Sequence, residues 1–257
     1  MVYMRDKVNF KFTPELYDKQ VDWENRLGKE KDFFRRIFAE NNVKTVLDVG
    51  CGTGRHAELF AQMTEKVFAV DPAREMIDYA ASEVIKSSNV TLKRGGFSDI
   101  EKLKTGDIDA ITCLGNTISL LETRKNVRAA LKTVYKKLPK NGIAVFQFIN
   151  FEKSVMEKNR YYDPKILIMD NKRYIFHRHF EYGKIKTRTD FLVTVLNENN
   201  EIELFDVRQS LMCTLKKRIF LKIAGNCGFR KIRLLGNDGK TPFDRENHIS
   251  LFAILKK

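Results

Sequence analysis

Three glycines at alternate positions, Gly50, Gly52 and Gly54, constrain this chain more than any other feature of its sequence. They follow a β-branched and apolar run at 46–49 that is too short for a helix, and apolar residues return at helical spacing over 57–61. Glycine lets the backbone turn sharply and approach a ligand without interference from a Cβ atom. The sequence therefore predicts a strand, a ligand-binding turn and a helix, with the turn at the carboxyl end of the strand, where open α/β sheets bind ligands.

The spacing of these glycines distinguishes between cofactors. A dinucleotide-binding loop has the pattern G-x-G-x-x-G, which places the pyrophosphate on a helix amino terminus, whereas this chain has G-x-G-x-G. A second apolar run at 66–70 ends in Asp71, about 20 residues beyond the glycines, where doubly wound folds place a carboxylate that hydrogen-bonds a ribose. This combination argues against NAD or FAD and favours another nucleoside cofactor.

The run from Leu47 to Gly54, followed by Val70-Asp71-Pro72, resembles the first two motifs of class I S-adenosylmethionine-dependent methyltransferases. The resemblance implies that S-adenosyl-L-methionine is the cofactor and that the three glycines and Asp71 bind it. The alternative is a glycine turn and a surface aspartate in an unrelated α/β protein.

Composition is typical of a soluble enzyme. The 257 residues suffice for one substantial core plus an insertion, and no apolar run approaches the roughly 20 residues of a membrane span. The first six residues lack the hydrophobic stretch of a secretory signal, so we expect a cytoplasmic protein. The cysteines lie far apart, without a C-x-x-C motif or a nearby histidine pair, so we expect neither a metal site nor a disulfide framework. They are Cys51, Cys113, Cys213 and Cys227.

The net charge of +14 raises acidic metabolites or nucleic acid as partners, provided that the charge is organised on one surface. The densest basic cluster, at 216–218, is short, and we interpret it as a solvated helix face. Nucleic acid therefore stays a secondary possibility.

Periodicity divides the chain into three parts. Residues 15–40 have helical spacing and predict an N-terminal helical arm. Alternating strands and helices then predict a parallel sheet, with strands at 46–49, 66–70, 90–93, 110–114 and 143–148 and helices at 77–85 and 127–138. Three further strands at 174–180, 187–196 and 202–212 predict an antiparallel insertion, and a helix at 215–224 with strands at 231–235 and 249–255 returns the chain to the main sheet.

These elements predict an α/β fold with a Rossmann-like, doubly wound, mostly parallel seven-stranded sheet and an antiparallel β insertion after the fifth strand. We expect a helical arm at 1–42, an S-adenosylmethionine-binding core at 43–149 and 215–257, and an antiparallel cap at 150–214 that selects the substrate.

A wider resemblance covers about residues 15–150. The run Cys113-Leu114-Gly115-Asn116-Thr117, with Leu16-Tyr17, Trp23 and Arg26 in the arm, resembles glycine and sarcosine N-methyltransferases. The resemblance implies that Tyr17, Trp23 and Arg26 fold over the cofactor and that Asn116 faces the substrate. It also places Met76, Phe97 and Leu114 where family members sandwich the adenine and line the methionine part of the cofactor, with core packing as the alternative role for each.

Two departures from that family affect the substrate. The family's carboxylate-binding arginine is matched by Ile149, and the histidine after its asparagine motif is matched by Leu120. An isoleucine cannot make the bidentate, charge-assisted bond that fixes a carboxylate, so an amino-acid substrate needs another cation. The candidates are Arg160, Arg178 and Arg188, and we select Arg178 as the substrate-binding residue.

The chemistry that the resemblance implies is in-line transfer of the cofactor's methyl group to a nitrogen atom of a small amine or amino acid. Such a reaction depends on alignment and desolvation, so few catalytic side chains are needed. Asn116 and the Tyr17 hydroxyl are the candidates for orienting an amine through hydrogen bonds. The alternatives are an RNA methyltransferase that uses basic residues of the insertion, and a cofactor-binding regulatory protein without turnover. The oligomeric state stays open.

Overall fold

The computed structural model describes residues 13–157 and 160–257, so the predicted lack of a signal at residues 1–6 and the start of the arm lie outside it. The described helices are α1 (Pro14–Gln20), α2 (Trp23–Glu40), α3 (Arg55–Ala61), α4 (Arg74–Tyr79), α5 (Arg124–Lys137), α6 (Phe151–Met156) and α7 (Lys217–Asn226). The strands are β1 (Thr45–Val49), β2 (Lys66–Asp71), β3 (Val90–Arg94), β4 (Ala110–Cys113), β5 (Ile143–Ile149), β6 (Tyr161–Met169), β7 (Lys172–Tyr182), β8 (Lys186–Leu196), β9 (Ile202–Cys213), β10 (Lys231–Gly236) and β11 (Ser250–Lys256).

The main sheet confirms the predicted fold class. Its seven strands follow the order β10-β11-β5-β4-β1-β2-β3, in which the pairs among β1 to β5 are parallel and β11 is antiparallel to both of its neighbours. Strand order reverses between β1 and β4, so their carboxyl ends flank the crevice where doubly wound sheets bind ligands. The glycine loop leaves the sheet at this crevice.

Helices bury apolar side chains on both faces of the main sheet. On one face α2 contributes Phe33, Phe34 and Ile37, which pack with Phe60 of α3 and Phe252 of β11. On the other face the buried sides of α5 and α7 pack against β4, β5 and β11. Full burial of one such side chain contributes about 1.5–3 kcal/mol, so these two layers hold the sheet rigid beneath the crevice.

The predicted helical arm consists of two helices. Thr13 caps α1 by accepting the Leu16 amide at 3.2 Å, and the chain then turns through extended backbone at Val21. Asp22 starts α2 by accepting the Asn25 amide at 3.2 Å. Asp22 is a typical capping residue, but the apolar periodicity continues across it. The sequence therefore predicted one helix where the structure has two.

The second half of the chain contains a separate four-stranded antiparallel sheet with the order β6-β7-β8-β9. This confirms the predicted antiparallel insertion after the fifth strand, but the insertion has four strands, and the sequence predicted three. The missed strand, β6, contains Pro164 and has an irregular register between Tyr162 and Lys165. Proline is confined to edge strands and bulges, and β6 is an edge strand.

Local differences from the predicted elements are small. The helix predicted at 77–85 begins earlier, at Arg74, and continues after α4 as a π-helical turn over Ala80–Val84. Within the described residues, no helix has the length and apolar character needed to cross a membrane.

Candidate active site

The glycine loop adopts backbone conformations that other residues rarely occupy. Gly50, Gly52 and Gly54 have φ angles of +74°, +54° and +82°. Two loop amides donate to Val70 of β2, which ties the loop to the neighbouring strand. A Cβ atom on Gly50 would collide with the side chain of Thr117, whereas one on Gly52 would find its nearest neighbour, the Tyr17 ring, 3.9 Å away. The loop is therefore closely packed against Thr117 at Gly50 and leaves free space between Gly52 and the Tyr17 ring.

Asp71 lies at the carboxyl end of β2 and faces this loop. One carboxylate oxygen accepts the Gly52 amide at 2.9 Å and the other accepts the Ala73 amide at 2.9 Å. Burial raises the pKa of Asp71 above its ordinary value, and the two backbone hydrogen bonds oppose that shift. Each carboxylate oxygen has more than one lone-pair site, so both keep capacity to accept hydrogen bonds from a ligand.

The arm places three predicted cofactor residues together above the crevice. The rings of Tyr17 and Trp23 lie 6.4 Å apart, and the Arg26 guanidinium lies 5.1 Å from the Trp23 ring centroid. Arg26 also donates to Gln147 Oε1 at 3.3 Å, the same oxygen that accepts the Gly115 amide at 2.8 Å. The indole Nε1 of Trp23 is buried and has no hydrogen-bond partner. A buried donor without a partner indicates a position where a ligand atom can accept.

Gln147 is a residue that the sequence reasoning missed. Its side chain joins Arg26 of the arm to Gly115 at the end of β4, so it fixes the position of the arm over the crevice. The available signal was a single polar side chain within the otherwise apolar run of β5.

A buried ion pair fastens α1 to the glycine loop. Asp18 is 5% exposed, accepts the Thr53 hydroxyl at 2.8 Å, and forms a bidentate contact with Arg55. Lys165 of β6 donates to the Gln20 carbonyl at the end of α1. The arm is thus bonded to both the glycine loop and the antiparallel sheet.

A second buried network supports Arg26 from below. Glu30 accepts from Arg26 at 3.3 Å and lies 2.6 Å from Nε2 of His56. Burial by itself raises the pKa of Glu30, but the hydrogen bond and charge of His56, together with Arg26, more than offset this and lower the pKa below its ordinary value. Glu30 is therefore a buried carboxylate held in its charged form.

Asn116 follows β4 in a left-handed conformation with φ of +73°. Its side-chain oxygen accepts the Ile149 amide at 3.3 Å, and its Nδ2 lies 2.9 Å from the Met212 sulfur. These contacts fix the amide between the main sheet and β9. Asn116 remains half-buried, so the amide is also accessible from the adjacent cavity.

Two adjoining cavities of about 680 and 720 Å³ lie between the carboxyl ends of the main-sheet strands and the antiparallel sheet. They share a wall formed by Tyr17, Arg26, Ile149, Arg178 and Phe180 among others. The larger one is lined in addition by the predicted substrate residue Asn116 and by Leu120. Both positions that depart from the glycine-methylating family therefore face this space.

Of the three candidate arginines, Arg178 alone lines these two cavities. It extends from β7 and lies 5.8 Å from the ring centroid of Phe191. Arg178 is exposed, but neighbouring protein atoms partly desolvate it and lower the pKa of Arg178, an effect that Tyr17 and Tyr162 oppose. Arg188, by contrast, pairs with Glu181 at 3.0 Å and Asp190 at 3.4 Å.

The remaining predicted cofactor residues occupy packing positions. Phe97 is buried in the core cluster that contains Val49 and Val70, and Leu114 is buried in the cluster on the opposite face of the sheet. Met76 is half-buried on α4, directly after the turn that contains Asp71. Their proposed contacts with the adenine and methionine parts of the cofactor stay predictions.

No group of three or more His, Cys, Asp or Glu side chains within 13–157 and 160–257 is arranged to hold a metal ion. The four cysteines are free thiols, and burial raises the pKa of Cys51 and Cys113 well above the ordinary value. Neither thiol is poised as a nucleophile, because the reactive form of cysteine is the thiolate.

The model of a methyltransferase domain family matches residues 46–142, the segment that contains the glycine loop, Asp71 and Asn116. Residues 46–142 carry a methyltransferase domain, and the fold is that of class I S-adenosylmethionine-dependent methyltransferases. S-adenosylmethionine is the cofactor of this domain class.

Among curated relatives of the methyltransferase domain, a glycine/sarcosine N-methyltransferase of Parasynechococcus marenigrum is 31% identical over 142 residues, which are 54% of this chain and 50% of that protein. Human glycine N-methyltransferase is 26% identical over 186 residues, covering 60% of this chain and 62% of the relative. The chain thus spans only about half to three fifths of the length of these relatives.

Solved structures resemble nearly the whole chain. A SAM-bound amino pentose methyltransferase, CalS10 from Micromonospora echinaspora, aligns with a TM-score of 0.72 at 20% identity over 98% of this chain and 100% of its own. The sugar N-methyltransferase KedS8 from Streptoalloteichus aligns with a TM-score of 0.73 at 14% identity over 100% and 97%. These likenesses establish that the main sheet and the antiparallel sheet together form a known methyltransferase architecture.

The residues at the crevice fit S-adenosylmethionine on structural grounds. Asp71 has free acceptor capacity facing the glycine loop, Gly52 leaves open space beneath Tyr17, and Trp23 holds an unused buried donor. A nucleoside with ribose hydroxyls and a terminal amino-acid group can use the carboxylate acceptor, the indole donor and the accessible backbone at Gly52.

Proposed function

We propose that this protein is an S-adenosylmethionine-dependent methyltransferase that acts on a nitrogen atom of a small molecule. The observation that carries the proposal is the juxtaposition of the Gly50–Asp71 crevice with the cavity that contains Asn116 and Arg178. The similar proteins support nitrogen as the acceptor atom, because they include a glycine/sarcosine N-methyltransferase and a sugar N-methyltransferase.

The cofactor is proposed to lie across the carboxyl ends of β1 and β2. Asp71 would accept hydrogen bonds from the ribose, and the open backbone at Gly52 would allow close approach. Tyr17, Trp23 and Arg26 would close over it from the arm. When bound, the cofactor supplies an activated methyl group on a positively charged sulfonium.

The protein's contribution to the chemistry is proposed to be alignment and exclusion of water. Burial raises the pKa of Tyr17, so its hydroxyl is neutral near pH 7 and can accept or donate a hydrogen bond without acting as a strong base. Asn116 is fixed by contacts with Ile149 and Met212, which makes its amide a rigid partner for an amine. Correct alignment of two reacting groups is worth several kcal/mol of barrier reduction, roughly 7–11 in favourable cases.

The antiparallel sheet is proposed to act as the substrate cap, within a segment at 150–214. Its inner surface supplies Phe180 and Arg178 to the cavities, and Lys165 connects it to the arm. Closure of the site by the cap and the arm would keep water from the transferring methyl group.

The function can be tested with methyl-tritiated S-adenosylmethionine offered to an amine and amino-acid panel, a small-metabolite extract and bulk RNA. The proposal expects label in one or more small amines, with loss of transfer in Asn116→Ala. A matched control is Asn126→Ala, because Asn126 is an exposed residue near the start of α5. Label in RNA alone would identify the alternative RNA methyltransferase, and cofactor binding without label in any pool would identify the regulatory alternative.

A further inference from the structure

We infer that this protein forms a homodimer through the outer face of its antiparallel sheet, the side of β6, β7, β8 and β9 that faces away from the two cavities. Two copies of the chain pack their sheets back to back in this dimer. The inference concerns a surface that the proposed methyl transfer does not use, so it does not depend on that function.

The residues of the outer face follow from the pairing of the strands. Side chains alternate between the two faces of a sheet, and Phe176 and Phe180 of β7 line the cavities, so Ile175 lies on the opposite face. The row of paired residues that crosses the sheet at Ile175 begins at Ile166 and ends at Phe205. With the adjacent rows, the outer face contains the apolar side chains Ile166, Ile168, Ile175, Leu192, Phe205 and Val207.

These side chains are exposed to a degree that is unusual for large apolar residues. The exposed fractions are 73% for Ile168, 58% for Phe205, 56% for Ile166 and 44% for Val207. An antiparallel sheet with one face in water normally carries polar side chains on that face. Contiguous apolar surface of several hundred Å² marks an interaction site. The composition of the outer face therefore indicates that another molecule covers it.

The outer face has the area that a stable dimer needs. The sheet has four strands, and β7 and β8 have 11 residues each. At about 3.3 Å per residue and about 4.8 Å per strand, the face measures roughly 36 by 19 Å, or about 700 Å². Specific interfaces bury about 600–1,000 Å² on each partner. Contact between two such faces therefore suffices for a stable dimer.

The charges along this sheet favour a second copy as the partner. Arg188 pairs with Glu181 at 3.0 Å and with Asp190 at 3.4 Å, and Lys172 pairs with Glu203 at 2.7 Å. The whole chain, by contrast, has a net charge of +14, so two copies repel each other where their cations are not compensated. The outer face is therefore a surface at which two copies can approach with little repulsion, and a polyanion would gain little there.

The distribution of residues on the outer face suits a two-fold interface, in which the same surface of each copy meets the other. The rows at Ile175 and Leu192 lie in the half of the sheet near the β6–β7 and β8–β9 turns, whereas Arg188 and Glu181 lie towards the β7–β8 turn. A two-fold axis through the apolar half packs apolar side chains against their copies and leaves the paired charges at the rim. An apolar core with a polar rim is the usual anatomy of a protein interface.

Sedimentation equilibrium of the full chain tests the inference. We expect a wild-type mass of about twice the 29.9 kDa of one chain. Phe205→Lys and Ile166→Lys, at the two ends of one row, should each raise the dissociation constant of the dimer about 10-fold or more. Both residues are exposed in the single chain, so both variants should keep the circular dichroism spectrum of the wild type. The matched control is Ile185→Lys, because Ile185 is 57% exposed but lies in the β7–β8 turn, beyond the apolar rows.

A wild-type protein that stays monomeric would overturn the inference. A dimer that both lysine variants leave intact would also overturn it, because the contact would then lie on another surface. A monomer that sediments with phosphatidylglycerol vesicles, and loses this association in Phe205→Lys, would assign the outer face to a membrane and contradict the dimer equally.

Discussion

The carboxylate of Asp71 accepts the backbone amide of Gly52 at 2.9 Å, which joins the end of β2 to the glycine loop after β1. Two motifs that lie about 20 residues apart in the sequence are thus one unit in the fold. Because the other Asp71 oxygen accepts the Ala73 amide, the same side chain also fixes the turn into α4. A change at Asp71 therefore affects ligand contacts and loop shape together.

We expect Asp71→Asn to weaken S-adenosylmethionine binding at least 10-fold, which corresponds to about 1.4 kcal/mol. An asparagine replaces one acceptor oxygen with a donor, so it cannot accept both backbone amides and still serve a ribose hydroxyl. Trp23 is the single tryptophan of the chain and lies in the arm over the crevice, so its fluorescence provides the titration signal. The control is Asp99→Asn, whose carboxylate caps the exposed turn at Gly96. Unchanged affinity in Asp71→Asn would remove Asp71 from the cofactor site.

Gly50→Ala is expected to destabilise the protein by about 2–4 kcal/mol, from left-handed backbone strain and a clash with Thr117. The double variant Gly50→Ala/Thr117→Ala should recover part of this loss, because it removes the clash and leaves the strain. Gly28→Ala is the matched control, since Gly28 lies inside α2 with no atom near its Cβ position, and alanine there should stabilise by up to about 1 kcal/mol. Urea unfolding gives the free energy of unfolding of all three variants. A Gly50→Ala protein as stable as the wild type would contradict the close packing of Gly50 against Thr117.

The two partners of the Asp18–Arg55 pair should respond unequally to mutation. Arg55→Ala leaves a carboxylate that is 5% exposed without its charged partner, whereas Asp18→Asn leaves Arg55 with access to water. We expect a loss of about 1–2 kcal/mol for Arg55→Ala, discounted because Arg55 is partly exposed, and a smaller loss for Asp18→Asn. Thermal unfolding combined with limited proteolysis within α1 checks this order. The reverse order would mean that the arm is held chiefly by other contacts.

The ionisation of Glu30 should make the free energy of unfolding depend on pH under acidic conditions. The pKa of Glu30 is lower in the folded protein than its unfolded value of about 4.3. The stability that Glu30 contributes is therefore fully present above the unfolded pKa and is lost as the pH falls through the folded pKa. The difference in unfolding free energy between the wild type and Glu30→Gln should therefore shrink as the pH falls below about 5. Glu24→Gln, an exposed change on the same helix, supplies the baseline. A difference that does not vary with pH would show that the charge of Glu30 is unimportant.

The sequence predicted the main sheet well because its signals are local. Runs of β-branched and apolar residues marked β1, β2 and β5 within about two residues, and the glycine spacing identified the crevice. The sequence failed at β6, where Pro164 and exposed side chains conceal an edge strand that is defined by its pairing with β7. Pairing between distant segments has no local signature.

The same distinction applies to the site. Asp71 and the glycines were recognisable from their order along the chain, whereas the contact of Gln147 with Arg26 joins residues 121 positions apart. The selection of Arg178 from three arginines was a hypothesis that periodicity could not decide. The alternation of β7 then determined which side chains face the cavities, because even-numbered residues such as Arg178 and Phe180 share one face.

The most direct test of the central claim is transfer of a ¹³C-labelled methyl group from S-adenosylmethionine to an amine nitrogen, followed by nuclear magnetic resonance of the products. We predict a new N-methyl signal on a small molecule, formed in step with S-adenosylhomocysteine by the wild-type protein and strongly reduced with Asp71→Asn at a subsaturating cofactor concentration. Methyl signals exclusively on oxygen, carbon or RNA, or no transfer by a protein that binds the cofactor, would contradict the assignment as a small-molecule N-methyltransferase.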